Sequence, residues 1–114
     1  MYNKRRIGTA YEEKAAGYLT AKGYHILKRN YRCRIGEIDI IAKKNNTLVF
    51  VEVKYRKTAS FGYPEEAVSF SKQKIIRKVA EFFLAGEKLS LDTECRFDVI
   101  AILGEEITQI ENAF

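Results

Sequence analysis

The chain has little of the residue chemistry on which many sites are built: one histidine, one proline and two cysteines in 114 residues. His25 stands alone inside HILKRNY, so a histidine-based site is excluded and His25 reads as a strand side chain. Cys33 and Cys95 have neither zinc-finger nor redox spacing and are expected as reduced thiols. No apolar run approaches the length of a membrane span, and the opening MYNKRRIGTAYEEK lacks the apolar core of a signal peptide. The expectation is a cytoplasmic protein with no membrane partner. Repeats, low-complexity tracts and linker-like composition shifts are missing too. With 46% hydrophobic residues, the chain reads as a single domain over 1–114, large enough to bury a core.

Positive charge is in excess, with 20 Lys and Arg against 15 Asp and Glu and a formal net charge of +5. The charges bunch at Lys4, Arg5 and Arg6, at Lys28, Arg29, Arg32 and Arg34, at Lys54, Arg56 and Lys57, and at Lys72, Lys74, Arg77 and Lys78. Such clusters gain affinity for polyanions by releasing counterions. Tyr31, Tyr55, Phe61 and Tyr63 are interleaved with them and either stack on bases or serve as core.

The densest information lies in residues 36–56, GEIDIIAKKNNTLVFVEVKYR, two alternating runs joined by Asn45 and Asn46. A strand sends alternate side chains to opposite faces, so Ile38, Ile40, Ala42, Val49, Val51 and Val53 are expected on one apolar face. A two-residue turn then puts Ile40 opposite Val51, Asp39 opposite Glu52 and Glu37 opposite Lys54. Two carboxylates at roughly 5 Å on facing strands repel each other. A divalent cation such as magnesium relieves that repulsion, since hard ions take carboxylate and carbonyl oxygens. Lys54 shares the face and would orient a water or balance charge on a phosphoryl group. A solvated face with an ordinary Glu37–Lys54 ion pair is the plainer alternative.

The remaining elements follow from start and stop signals. A first helix is expected over about 9–22, with Thr9 as N-cap, Tyr11, Ala15, Ala16, Tyr18 and Leu19 at helical spacing, and Gly23 as its stop. A strand over 25–31 leads into the hairpin, and 57–64, holding the only proline, reads as a loop. Ser69 or Ser71 opens a second helix with Ile75, Ile76, Val79, Ala80 and Phe83 inward and Gly86 at its end. The nearly continuous apolar run 96–103 suggests a strand buried on both faces, and a turn at Gly104 and Glu105 leads to an edge strand over 107–111. The order α-β-β-β-α-β-β predicts an α/β fold with a mixed central sheet flanked by helices. On the first helix Glu12 shares the inward stripe of Ala16 and Leu19, whereas Glu13 falls on the polar side. A buried acid needs a partner or a cation, although the helix dipole also favours acids in a first turn.

The helical acid, GEIDIIA, VFVEVKYR, SKQK, RFDVIAI and the terminal ENAF, in that order over about 8–114, resemble the YraN family of endonuclease-like proteins. That family is similar to archaeal Holliday-junction resolvases and has the restriction-endonuclease-like PD-(D/E)xK fold. The resemblance implies that Asp39 is the metal-binding aspartate, Glu52 and Lys54 the E-x-K pair, and Glu12 the acid of the first helix. It further implies that Gln73 supports the site and that Lys72 contacts phosphate. Tyr11 stands where the family often has glycine, a departure. Asp98 matches a family position and would hold its strand or a basic loop by an ion pair. The mechanism implied is phosphodiester hydrolysis with magnesium or manganese held by Asp39, Glu52 and the Val53 carbonyl, assisted by Lys54. DNA is the partner implied, and a homodimer is compatible with junction cleavage. A nucleic-acid-binding module without turnover and an interaction domain with merely surface charges are the competing classes.

Overall fold

The Asn45–Asn46 turn organises the sheet. Asn45 has φ of 56°, a left-handed value that asparagine tolerates better than most residues. Strand β2 (Glu37–Lys44) therefore folds back on β3 (Thr47–Arg56), from Lys44 opposite Thr47 to Ile40 opposite Val51. This is the register that the alternation predicts. The computed structural model describes residues 4–58, 68–90 and 92–114, with side chains from residue 10 onward. Phe61, Tyr63, most of the expected 57–64 loop and the side chains of Lys4, Arg5, Arg6 and Thr9 lie outside the described residues.

Helix α1 (Lys4–Ala21) precedes β1 (His25–Arg32), and α2 (Phe70–Gly86) connects β3 to β4 (Cys95–Leu103), which turns into β5 (Glu106–Ile110). The five strands pair in the order β1-β2-β3-β4-β5. Only β3 and β4 run parallel, and a parallel pair needs a crossover such as α2. The expected α-β-β-β-α-β-β order holds. Ala15 and Leu19 of α1 pack with Ile40, Val49, Val51 and Ile100 on one sheet face. Ile76, Val79 and Phe83 of α2 pack with Ile41, Leu48 and Phe50 on the other. Phe50 is fully buried, stacked on Phe97 at 5.4 Å and edge-on to Phe83 at 6.1 Å. Burying such a side chain contributes about 1.5–3 kcal/mol.

Several boundaries differ from the sequence expectation. Thr9 lies inside α1 and is not its cap, because the helix starts at Lys4. The first turn holds no acidic residue, so the usual start signal is missing there. Ser69 does cap α2, its Oγ accepting the Lys72 N–H at 3.1 Å. At the other end the left-handed residue is Lys88, with φ of 56°, rather than Gly86. The Leu89 N–H reaches back to the Leu84 carbonyl at 2.8 Å, which closes the helix. Ile75, expected inward, is 38% exposed. Gly23, with φ of 92°, ends α1 as expected.

The most consequential difference is a kink shared by β1 and β2. Arg29 pairs with Ile40 and Tyr31 with Ile38, but the ladder skips Asn30 and Asp39 between them. Asn30 has φ of 52° within the strand. A regular pleat would put Ile38 and Ile40 on one face. Instead Ile40 joins the α1 core and Ile38 the α2 core, so the single apolar face expected for the hairpin breaks at Asp39.

Asp98 is fully buried on β4 and is satisfied on every side. Arg96 donates to both of its oxygens at 2.9 Å, Gln109 donates to Oδ2 at 2.9 Å, and the Asn112 N–H donates to Oδ1 at 3.2 Å. Tyr24 accepts from Arg96 and Gln109. The ion pair expected for Asp98 therefore ties β4 to β5 and to the chain end.

Candidate active site

Beyond Ile40 and Val51 the ladder between β2 and β3 stops, and the two strands form a fork. The Val53 N–H, which a continued ladder would give to a β2 carbonyl, donates to Asp39 Oδ2 at 2.8 Å. The N–H and C=O of one strand residue point to the same side, so the Val53 carbonyl faces the same gap. Asp39 is thereby fixed by the β3 backbone.

The other acids gather on it from different elements. Glu52 is 6% exposed, within hydrogen-bonding reach of Asp39, and 3.6 Å from Lys54 Nζ. Burial, and then the Asp39 charge, push its carboxyl up to about 7 against the pull of Lys72 and Lys54. Burial is also the main reason that Asp39 stands above the usual carboxylate range, while the Val53 N–H acts the other way. Glu12 comes across from α1, raised first by burial and then by Asp39, with the Asn30 carboxamide opposing the shift. Glu12, Glu37 and Asp39 offer oxygens that all lie within 4.8 Å of one another. Carboxylates that burial penalises, converging with a backbone carbonyl, form an all-oxygen donor set. Such a set suits a hard divalent cation and is costly without one.

Asp39 is thus met by Glu12 and Glu37, which form one close group with it, and separately by Glu52, which is paired with Lys54. Lys72, from the first turn of α2, comes close enough to ease the charge on both Asp39 and Glu52. Gln73 is placed differently: its Nε2 donates to the Val68 carbonyl at 3.3 Å, so it braces the start of its own helix. The Glu37–Lys54 ion pair of the plainer alternative does not form. The fork separates those positions, and Glu37 takes Arg32 at 2.6 Å while Lys54 takes Glu52. Glu37, which the alternation placed opposite Lys54, instead joins Glu12 and Asp39 in the group of close acids. Tyr11, at the departure from the family pattern, stacks on Tyr55 at 4.1 Å and 15°. That contact pins α1 to β3 beside Glu12 and Lys54.

The raised carboxyls give a pH dependence of definite sign. A native state that holds protons released on unfolding loses stability as pH rises. For Glu52 the contribution is fully present below the unfolded value of 4.5 and is lost as pH rises through about 7. The melting temperature of the metal-free protein should fall across that window, and Glu52→Gln should flatten the fall. A wild-type profile that rises there contradicts the assignment.

A family model described as "Uncharacterised protein family UPF0102" matches residues 11–102. A UPF0102 protein of Lachnoclostridium phytofermentans is 53% identical over 112 residues, covering 98% of this chain and 95% of the relative. One from Caldicellulosiruptor saccharolyticus is 47% identical, covering 98% and 99%. A third, from Fusobacterium nucleatum, is 46% identical, covering 96% and 92%.

Proposed function

The chain belongs to the uncharacterised protein family UPF0102, and on that premise we propose that it is a divalent-cation-dependent endonuclease acting on DNA, with branched or junction DNA as the favoured substrate. The observation that carries the reading is the fork, where Asp39 takes the Val53 N–H and meets Glu52, Glu12 and Glu37. The resemblance of GEIDIIA, VFVEVKYR, SKQK and RFDVIAI to the endonuclease-like YraN proteins supports it independently. A DNA substrate also implies a cytoplasmic site of action. No helix among the described residues is long and apolar enough to cross a membrane.

Asp39, Glu52, Glu12 and the Val53 carbonyl would hold magnesium or manganese, with Glu37 at the rim. When bound, the ion supplies Lewis acidity toward the phosphate and a lowered pKa for its water. The chain's own residues do the rest. Asp39, fastened to Val53, fixes the position of the acids, and Glu52, buried beside it and 3.6 Å from Lys54, would offer its carboxylate to the ion. Lys54 and Lys72 set positive charge beside Glu52, where a phosphate would develop negative charge. The basic residues of β1 and α2 would draw in the DNA backbone.

The test is cleavage by purified protein of branched, flapped, duplex and single-stranded DNA, with magnesium, with manganese and with chelator. Metal-dependent cleavage, strongest on branched DNA and weakened by salt, is expected. Salt-sensitive binding with no turnover under any metal would favour the non-catalytic binding module instead.

A further inference from the structure

Helix α2 hides one phenylalanine and displays two. Phe83 is 3% exposed in the core, whereas Phe82 beside it is 51% exposed and Phe70, at the helix start, 70%. A single exposed apolar side chain needs no explanation, but these two are joined. Phe70, Lys74, Lys78 and Phe82 follow one another at steps of four residues, the spacing of a continuous ridge along a helix surface. The ridge runs for about 18 Å, with a ring at each end and two lysines between them. All four side chains are exposed. Lys74 Nζ stands 4.7 Å from the centre of the Phe70 ring. Neither lysine takes part in an ion pair among the described residues.

That pattern selects among occupants. A second copy of the chain, set two-fold on the ridge, would bring Lys74 and Lys78 against their own equivalents, so repulsion would fall at the centre of the contact. Duplex DNA would meet the lysines with its phosphates, but its bases are stacked on one another and offer the rings no free face. An unpaired strand offers both, phosphates for Lys74 and Lys78 and open base faces for Phe70 and Phe82. Rings and cations alternating along one track are what sequence-tolerant binding of single strands requires. One end of the ridge also stands near the fork. Phe70 shares the first turn of α2 with Lys72, which eases the charge on Asp39 and Glu52.

We propose that the Phe70, Lys74, Lys78 and Phe82 ridge of α2 is a platform for an unpaired DNA strand, with phosphates on the lysines and bases stacked on the rings. The platform rests on the nuclease reading for DNA as the polyanion, and it deepens that reading by making a single-stranded arm the part of a branched substrate that α2 holds. Binding in chelator tests it without turnover, by fluorescence anisotropy of a labelled single strand and of its duplex. The proteins compared are wild type, Phe70→Ala, Phe82→Ala, and Lys74→Ala combined with Lys78→Ala. Because all four side chains are exposed, the variants should melt close to wild type. Removing either ring should weaken single-strand binding about tenfold, within what one stacked base supplies, and leave duplex binding within about twofold of wild type. Removing both lysines should make the slope of log affinity against log salt shallower by about 1.4, from about 0.7 for each phosphate contact on a single strand. A strand with abasic sites should bind wild type as weakly as the ring variants bind the normal strand. Ring variants that bind the single strand like wild type, or that lose single strand and duplex equally, would overturn the platform. A wild type that binds no single strand would overturn it too, while manganese in the fork and metal-dependent cleavage would leave the nuclease reading intact. Ring-dependent binding by a protein that cleaves nothing supports the platform and contradicts the nuclease reading.

Discussion

Asp39→Asn should lower metal-dependent DNA cleavage by on the order of a thousandfold, which corresponds to the several kcal/mol of transition-state stabilisation that a catalytic cation supplies. Asp39 takes the Val53 N–H, lies within hydrogen-bonding reach of Glu52, and has Glu12 and Glu37 oxygens within 4.8 Å. Asparagine keeps an oxygen that can accept from Val53, so the fork survives. It removes a charge that raises both Glu12 and Glu52, so the metal-free variant should melt no lower than wild type. Loss of cleavage with an unchanged or higher melting temperature separates a site residue from a structural one. Single-turnover rates at saturating magnesium, paired with thermal melts, make the comparison. Cleavage equal to wild type would point to a contaminating nuclease or to another site.

Asp98→Ala is expected to have the opposite signature, a large loss of stability. The substitution leaves the Arg96 guanidinium, the Gln109 amide and the Asn112 N–H without their common acceptor. Breaking a buried pair by removing one partner costs about 3–5 kcal/mol, because the remaining charge stays poorly solvated. Glu111 cannot compensate: it reaches Arg96 only at 3.6 Å, and its side chain is more than half exposed. The fall in melting temperature should be on the order of 15 °C for a domain of this size. A change of only a few degrees would mean that the network is ornamental.

The register of the hairpin was legible because alternation and a two-residue turn both act over short distances. Ile40 opposite Val51 followed from them alone. The helix stop at Gly23 and the cap at Ser69 were legible for the same reason, each being a local backbone requirement. What escaped depends on contacts between elements. Nothing in the spacing of 37–42 says that the strand kinks at Asp39, since the kink needs Asn30 of β1 and the Val53 N–H of β3 together. Glu37, opposite Lys54 in the regular register, consequently turns to Arg32, and Ile38 lies on the face opposite to the one expected. Asp98 could be placed on its strand, but its burial is satisfied by Gln109 and Asn112, which lie beyond the next turn.

The central claim is that the fork of β2 and β3 holds a divalent cation, and crystals soaked in manganese test it most directly by anomalous scattering. The account predicts an ion bounded by Asp39, Glu12 and Glu52, with the Val53 carbonyl facing it, and its disappearance in Asp39→Asn. Saturating manganese that leaves the fork empty, or an ion found only among surface acids away from Asp39, would contradict it.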